Sequence, residues 1–184
     1  MSTFTTLLVA VVSFTILACD QQPSAARQEE EGRQVVPQYS PDTGRLDQLV
    51  VKREETGGVE ARAFMKGTTF ERIELDTDGD GTPDRWEYYT ATGQAGTSGV
   101  SGNPIVRAEE ATRGDGRISR WEYYDGGAIA RVEEDVNGDG KVDKWERYEG
   151  GALRSLDLDL SGSGRPERRI LFNPDGTTQS HPLP

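Results

Sequence analysis

Two twelve-residue segments, 76–87 and 135–146, carry oxygen-bearing side chains at nearly every second position and could bind a hard metal ion. Calcium takes about six to eight oxygen ligands, and a loop of this length can wrap them around one point. The spacing therefore predicts one calcium ion in each segment. The predicted ligands are Asp76, Asp78, Asp80, the Thr82 carbonyl, Asp84 and Glu87 in the first segment, and Asp135, Asn137, Asp139, the Lys141 carbonyl, Asp143 and Glu146 in the second.

Both segments follow the order D-x-[DN]-x-[DN]-G with a closing glutamate, and they place Gly81 and Gly140 at the sharp turn. In this they resemble the calcium loop of EF-hand proteins. The resemblance implies a bidentate role for Glu87 and Glu146, and it stops at the loops. An EF-hand has a helix on each side of its loop, whereas YYTATG and RYEGG follow the two glutamates here. The segment DVNGDGKVD also resembles the start of a dockerin repeat.

A turn without metal is the alternative interpretation, because Asp and Gly are favoured in turns for local reasons. Four acidic side chains within nine residues repel one another, however, and a bound cation removes that cost. Magnesium is less favoured than calcium because it retains most of its water ligands.

The loops belong to an internal repeat, since Gly116, Gly140 and Gly164 recur every 24 residues. The segments RWEYY, RWEYY and KWERY follow the loops, and the last two are continued by a Gly-Gly pair and an alternating segment. Aromatic and alternating residues favour strands. The repeat predicts a mainly β fold: an antiparallel meander of repeated β-hairpins joined by EF-hand-like calcium loops.

Two further copies of the loop have lost ligand positions. The copy at 111–122 begins with Ala111 and has Arg113 at a ligand position, which disfavours a cation. The copy at 159–170 ends in Ile170 instead of a carboxylate, so any metal site there is weak. We interpret 39–50, which keeps only the turn glycine Gly44 and Asp47, as a first structural copy.

Three tryptophans, Trp86, Trp121 and Trp145, occupy equivalent positions after the loops. Alternation places them on one face of the sheet, where they would form a ladder that stabilises the core. An exposed ladder would instead form a platform for carbohydrate, which is the alternative function.

The N-terminus predicts export and lipid anchoring. An apolar run at 7–18 is shorter than the roughly 20 residues of a membrane-spanning helix and has the length of a signal-peptide core. The sequence ILAC at its end resembles a bacterial lipobox, and this resemblance implies lipidation of Cys19, the single cysteine. A cleaved secretory signal and an apolar tail are the alternatives. We expect a location in the cell envelope, extracytoplasmic and attached to the inner or the outer membrane.

These observations divide the chain into four parts. We predict a lipoprotein signal peptide at 1–19, a flexible tether at 20–38, a calcium-loop repeat domain at 39–172 and a loose tail at 173–184, which contains His181. Apolar residues make up 33% of the chain, so bound metal should contribute to folding.

Charge and motif content point to a binding role. The net charge of −11 disfavours nucleic acid as a partner. The chain has no nucleophile elbow, no phosphate-binding loop and one histidine. We therefore predict that it is not an enzyme, and that it is a calcium-binding structural or adhesive module. Its expected partners are calcium, the membrane through its anchor, and a surface protein or polysaccharide.

Overall fold

The computed structural model describes residues 32–90 and 104–184, which form one twelve-stranded antiparallel sheet. The strands follow one another in chain order from β1 to β12, which confirms the predicted antiparallel meander of hairpins. A helix able to span a membrane is absent from the described residues. The strands are β1 Arg33–Tyr39, β2 Leu46–Arg53, β3 Val59–Lys66, β4 Thr69–Leu75, β5 Arg85–Tyr89, β6 Ile105–Glu110, β7 Arg120–Asp125, β8 Ala128–Glu134, β9 Lys144–Glu149, β10 Ala152–Leu158, β11 Arg168–Phe172 and β12 Thr178–Pro182.

The sheet is a single layer. Each strand contacts only its neighbours in sequence within the described part of the chain, so no second sheet packs against either face. Few apolar side chains are buried as a result. The buried ones are Val50, Ala63, Ala108, Ala111 and Val132. Stability must therefore come mainly from backbone pairing and from contacts between side chains on adjacent strands.

The Gly-Gly turns join strands as the repeat predicts. Gly126 and Gly127 link β7 to β8 with φ of 56° and 84°, and Gly150 and Gly151 link β9 to β10 with φ of 58° and 78°. A two-residue turn with positive φ at both positions matches the twist of the paired strands, and glycine adopts it without steric cost.

The connections alternate between the two ends of the sheet. Segments 76–84, 111–119, 135–143 and 159–167 all join an even-numbered strand to the next odd-numbered strand. All four therefore lie at one end, which we call the loop end. Consecutive loops are two strands apart, a spacing of roughly 10 Å. The Gly-Gly turns lie at the opposite end.

The structure differs from the sequence predictions at two domain boundaries and at the proposed first loop copy. Residues 33–38, assigned to the tether, belong to β1, and residues 178–182, assigned to the loose tail, form β12. Both are edge strands, where polar residues and proline are tolerated because one side of the backbone faces no partner. The turn within 39–50, which the sequence indicated as a first loop copy, joins β1 to β2. It therefore lies at the end opposite the loop end, apart from the four loops.

Strand register sorts the side chains into two faces. One row crosses Glu87, Ala108, Glu122, Val132 and Glu146 from β5 to β9, and we call this side the glutamate face. The other side, the tryptophan face, carries a row that crosses the same strands. Its members are Trp86, Glu109, Trp121, Glu133 and Trp145.

Candidate metal sites

Backbone hydrogen bonds join the four loops into one row at the loop end. The amide of the first residue of each later loop donates to the carbonyl of the ninth residue of the preceding loop. These bonds are Ala111 N to Asp84 O, Asp135 N to Ser119 O and Asp159 N to Asp143 O, each 2.8 Å long. The loops are therefore held at fixed positions relative to one another.

The first carboxylate of the first loop is buried. Asp76 is 5% exposed, and its two oxygens accept from Gly79 N at 2.7 Å and Gly81 N at 2.9 Å. These glycines have φ of 83° and 94°, a region that L side chains rarely adopt. The glycines thus turn the backbone so that its amides converge on one carboxylate.

Asp84 closes the loop from its ninth position. Its carboxylate accepts from the Thr77 amide at 3.0 Å, the Asp78 amide at 3.2 Å and the Thr77 hydroxyl. Carboxylate oxygens of Asp76, Asp78 and Asp84 lie within 4.8 Å of one another. Carboxylates at this separation are suitable ligands for a hard divalent cation. The cluster does not by itself establish an EF-hand loop.

Two other predicted ligands of the first loop, the carboxylates of Asp80 and Glu87, are not part of this cluster. The Asp80 carboxylate accepts from the Thr82 amide at 2.7 Å. Glu87, the predicted bidentate ligand, lies in β5, where its oxygens accept from Arg85 Nε at 3.0 Å and from the Tyr89 hydroxyl at 2.6 Å. The structure thus does not bring Glu87 to the three aspartates, because strand alternation turns it onto the glutamate face together with Arg85 and Tyr89.

Glu122 and Glu146 have equivalent surroundings. Within each strand a basic residue lies two positions before the glutamate and a tyrosine two positions after it. The Tyr124 and Tyr148 hydroxyls each donate to their glutamate at 2.7 Å. The repeated pattern [RK]-x-E-x-Y was visible in the sequence and could have indicated this arrangement.

Opposite charges also alternate across the strands of this face. Arg120 lies 3.7 Å from Glu110 and 3.6 Å from Glu134, while Arg85 lies 3.5 Å from Glu110. We call this series, which sequence reasoning missed, the charge ladder. Its members on β5 to β9 are Arg85, Glu110, Arg120, Glu134 and Lys144.

Burial shifts the titration of this face. Burial raises the pKa of Tyr148 to about 12, with further contributions from the hydrogen bond and charge of Glu146. For Glu122, burial alone would raise the pKa, but the Tyr124 hydroxyl and the Arg85 guanidinium outweigh it and lower the pKa below its usual value. Glu122 therefore remains ionised at neutral pH.

The second predicted loop repeats the turn of the first. Asp135 is 4% exposed, and it accepts from Gly138 N at 2.6 Å and Gly140 N at 2.9 Å. Asp143 accepts from the Asn137 amide at 3.0 Å and from Asn137 Nδ2 at 2.9 Å. Asn137 thus presents an amide group where the first loop has the Asp78 carboxylate.

The remaining carboxylates predicted as ligands in the second loop, Asp139 and Glu146, have other partners. The Asp139 carboxylate accepts from the Lys141 amide at 2.8 Å, and the Lys141 ammonium donates to the Gly162 carbonyl of the next loop at 2.9 Å. Glu146 accepts from Tyr148 and pairs with Lys144 at 3.2 Å on the glutamate face. Strand alternation thus turns Glu146, like Glu87, onto the glutamate face.

The two degenerate loops retain the fold of the others. In 111–119, Ala111 and Ser119 replace the first and ninth aspartates and are both buried. The Ser119 hydroxyl accepts from the Thr112 amide at 3.1 Å. In 159–167, Asp159 accepts from Gly162 N at 2.9 Å. The loop conformation therefore persists with only one or two carboxylates in each segment, Asp115 in the first and Asp159 and Glu167 in the second.

The predicted tryptophan ladder is interrupted by acidic residues. Glu109 lies between Trp86 and Trp121, so tryptophans alternate with carboxylates instead of lying on adjacent strands. A second row on this face pairs tyrosines with arginines. The Arg107 guanidinium lies 4.5 Å from the centre of the Tyr88 ring, and the Tyr88 hydroxyl donates to Glu109 at 2.9 Å. The three tryptophans are half-buried.

The predicted lipidation site, Cys19, lies outside the described residues, as do the signal peptide and most of the tether.

Comparison with known proteins found similarity only at the level of structure. No protein-family model and no curated protein match the chain. It is similar to TarM, with 11% identity over 62% of this chain and 19% of that chain and a TM-score of 0.43. It is similar to the GtfA/B complex bound to UDP and GlcNAc, with 10% identity, coverage of 61% and 22%, and a TM-score of 0.42. It also resembles accessory secretory protein 1, 2 and 3 of Streptococcus pneumoniae, with 15% identity, coverage of 83% and 24%, and a TM-score of 0.34.

These similarities correct one prediction. TarM and GtfA/B are glycosyltransferases, so the similarity gives no support to the prediction that the chain is not an enzyme, and we do not retain that prediction. The chain spans less than a quarter of the length of either structure. At these TM-scores the likeness assigns neither an activity nor a substrate to this chain.

Proposed function

We propose that this chain is a calcium-binding repeat protein of the cell envelope, anchored through Cys19 and serving a structural or adhesive role at the surface. The observation that supports calcium binding is the cluster of Asp76, Asp78 and Asp84, whose carboxylate oxygens lie within 4.8 Å of one another. Three carboxylates this close repel one another unless a cation lies between them.

The single-layer sheet supports a role for the ion in stability. With few buried apolar side chains, the sheet has little hydrophobic free energy to offset the entropy of folding. An ion that binds only the folded loop adds its binding free energy to the stability. Calcium would thereby hold β4 and β5 together at the loop end.

Two matched variants test the proposal. Asp78 belongs to the cluster and Asp80 does not, yet both are exposed and each accepts from the amide two residues later, at 3.1 Å and 2.7 Å. Asparagine retains that acceptor and removes the charge. We expect Asp78→Asn to weaken calcium binding at least about tenfold, a loss of about 1.4 kcal/mol, and Asp80→Asn to change it less.

Isothermal titration calorimetry, together with thermal unfolding at millimolar calcium, provides the measurement. An absence of both binding heat and stabilisation in the wild-type protein would refute the proposal. An equal loss in the two variants would instead favour the complete EF-hand ligand set over the three-aspartate cluster.

Carbohydrate binding on the tryptophan face is a second candidate. The observation in its favour is that Trp86, Trp121 and Trp145 recur every second strand on a face that no other described strand covers. Aromatic rings at a regular spacing suit stacking against a sugar chain. Affinity electrophoresis in gels containing polysaccharide tests it. Slower migration of the wild-type protein that Trp121→Ala abolishes would support it, and equal migration would exclude that polysaccharide.

A further inference from the structure

The second predicted calcium loop already holds a cationic group of the protein itself. Nη1 of Arg113, from the preceding loop, lies 3.7 Å from Oδ1 of Asp135, and Asp135 is the buried first residue of segment 135–143. The same guanidinium pairs with Asp115 at 3.2 Å in its own loop. Arg113 therefore links the two loops across the row.

Gly138 makes room for this side chain. A Cβ atom at Gly138 would lie 2.2 Å from Arg113 Nη1 and 2.5 Å from Cζ, far inside van der Waals contact. The guanidinium is thus packed directly against the backbone of the loop. Lys141 makes a comparable contact between the next two loops. Its side chain extends from segment 135–143, and its ammonium donates to the Gly162 carbonyl of the following loop.

The first loop differs at the equivalent position. Arg53 lies against Gly79, 3.0 Å from the position of a Cβ atom there. Among the described residues, however, no carboxylate of segment 76–84 is within ion-pair distance of Arg53. Within 32–90 and 104–184, the cluster of Asp76, Asp78 and Asp84 has no basic side chain at ion-pair distance, whereas Asp135 has Arg113.

We infer that Arg113 is a built-in cation that takes the place of a metal ion in segment 135–143, so that the chain binds one calcium ion instead of the two predicted from sequence. A guanidinium and a divalent cation repel each other and compete for the same Asp135 carboxylate. Asn137 contributes to the difference, because it supplies no charge where the first loop has Asp78. One part of the inference, the expectation that the wild type binds one calcium ion per chain, rests on the proposed calcium site of the first loop. The role of Arg113 does not depend on that site.

Calcium titration by calorimetry tests the inference on the intact protein and three variants. Asn137→Asp restores the third carboxylate of the loop while retaining Arg113. Combining it with Arg113→Gln also removes the cation, and combining it with Arg53→Gln is the matched control. We expect one ion per chain in the wild type, in Asn137→Asp and in the control, and one additional ion in Arg113→Gln/Asn137→Asp, with a Kd of about 10⁻⁴ to 10⁻³ M.

Two ions in the wild type, in Asn137→Asp or in the control would overturn the inference. So would the failure of a folded Arg113→Gln/Asn137→Asp protein, checked by circular dichroism, to gain an ion. If that variant does not fold, the stoichiometry of the wild type and of Asn137→Asp still decides the matter. If the wild type binds no calcium but the double variant gains one ion, the proposed function fails while the role of Arg113 stands.

Discussion

The Arg85 guanidinium on β5 donates to the Glu122 carboxylate on β7, with 3.0 Å between Nη2 and Oε2. This ion pair spans the intervening strand β6. Ala108 on β6 lies between Glu87 and Glu122 in the row and is completely buried. Its small side chain leaves space for longer side chains to meet above it. On the glutamate face, charged groups therefore provide the cover that a second layer provides in a sandwich.

Glu122→Gln should destabilise the protein by about 1 to 3 kcal/mol, because it leaves the half-buried Arg85 with a weakened partner. The matched control is Glu71→Gln. Glu71 faces Lys66 at 3.9 Å, and both side chains are more than half exposed, so we expect a change within about 0.5 kcal/mol. Urea unfolding measures both. Equal effects of the two substitutions would show that the bridge over β6 contributes nothing.

The free energy of stabilisation that Glu122 provides should decrease at acid pH. Its pKa in the folded protein lies below the usual 4.5, so its stabilising effect is complete above the unfolded pKa and disappears as the pH falls through the folded pKa. We expect the difference in unfolding free energy between wild type and Glu122→Gln to shrink below about pH 4.5. Urea unfolding at a series of pH values measures it, and a constant difference would argue against the lowered pKa.

Gly138→Ala should destabilise the protein more than Gly114→Ala. Both glycines have positive φ, 84° and 67°, so each alanine costs about 1 to 2 kcal/mol for backbone strain. Only at Gly138 does the added methyl group collide with Arg113, whereas Gly114 has open space. Thermal unfolding of both variants measures the difference. Equal destabilisation would mean that Arg113 moves away from Asp135 without cost.

Removal of residues 173–184 should make the protein self-associate. The deletion removes β12 and leaves β11 as the edge strand. Strand β11 ends in Ile170, Leu171 and Phe172, and apolar residues on an edge strand with unpaired backbone groups promote pairing with another chain. Size-exclusion chromatography should show larger species for this deletion and not for a deletion of 183–184. A monomeric 173–184 deletion would indicate that β12 does not protect the edge.

Much of the fold could be read from local sequence. The 24-residue spacing, the Gly-Gly pairs and the strand alternation placed β7 to β10 correctly, because each depends on residues close together in the chain. The edge strands were missed for the opposite reason. Residues 33–38 and 178–182 are mostly polar and contain Pro37 and Pro182, and only the neighbouring strand gives them a partner.

For the candidate site, too, local sequence determined some features and strand pairing determined the others. The sequence alone determined the twelve-residue loop, its turn glycines and the oxygen donors within it, since these follow from bonds along one short segment. Only the tertiary structure decided which donors meet. Strand pairing turns Glu87 and Glu146 onto the glutamate face, where they pair with Arg85 and Lys144. The 24-residue repeat carries Arg113 to Asp135 in the adjacent loop. Contacts between strands depend on register, and register is a property of the whole sheet.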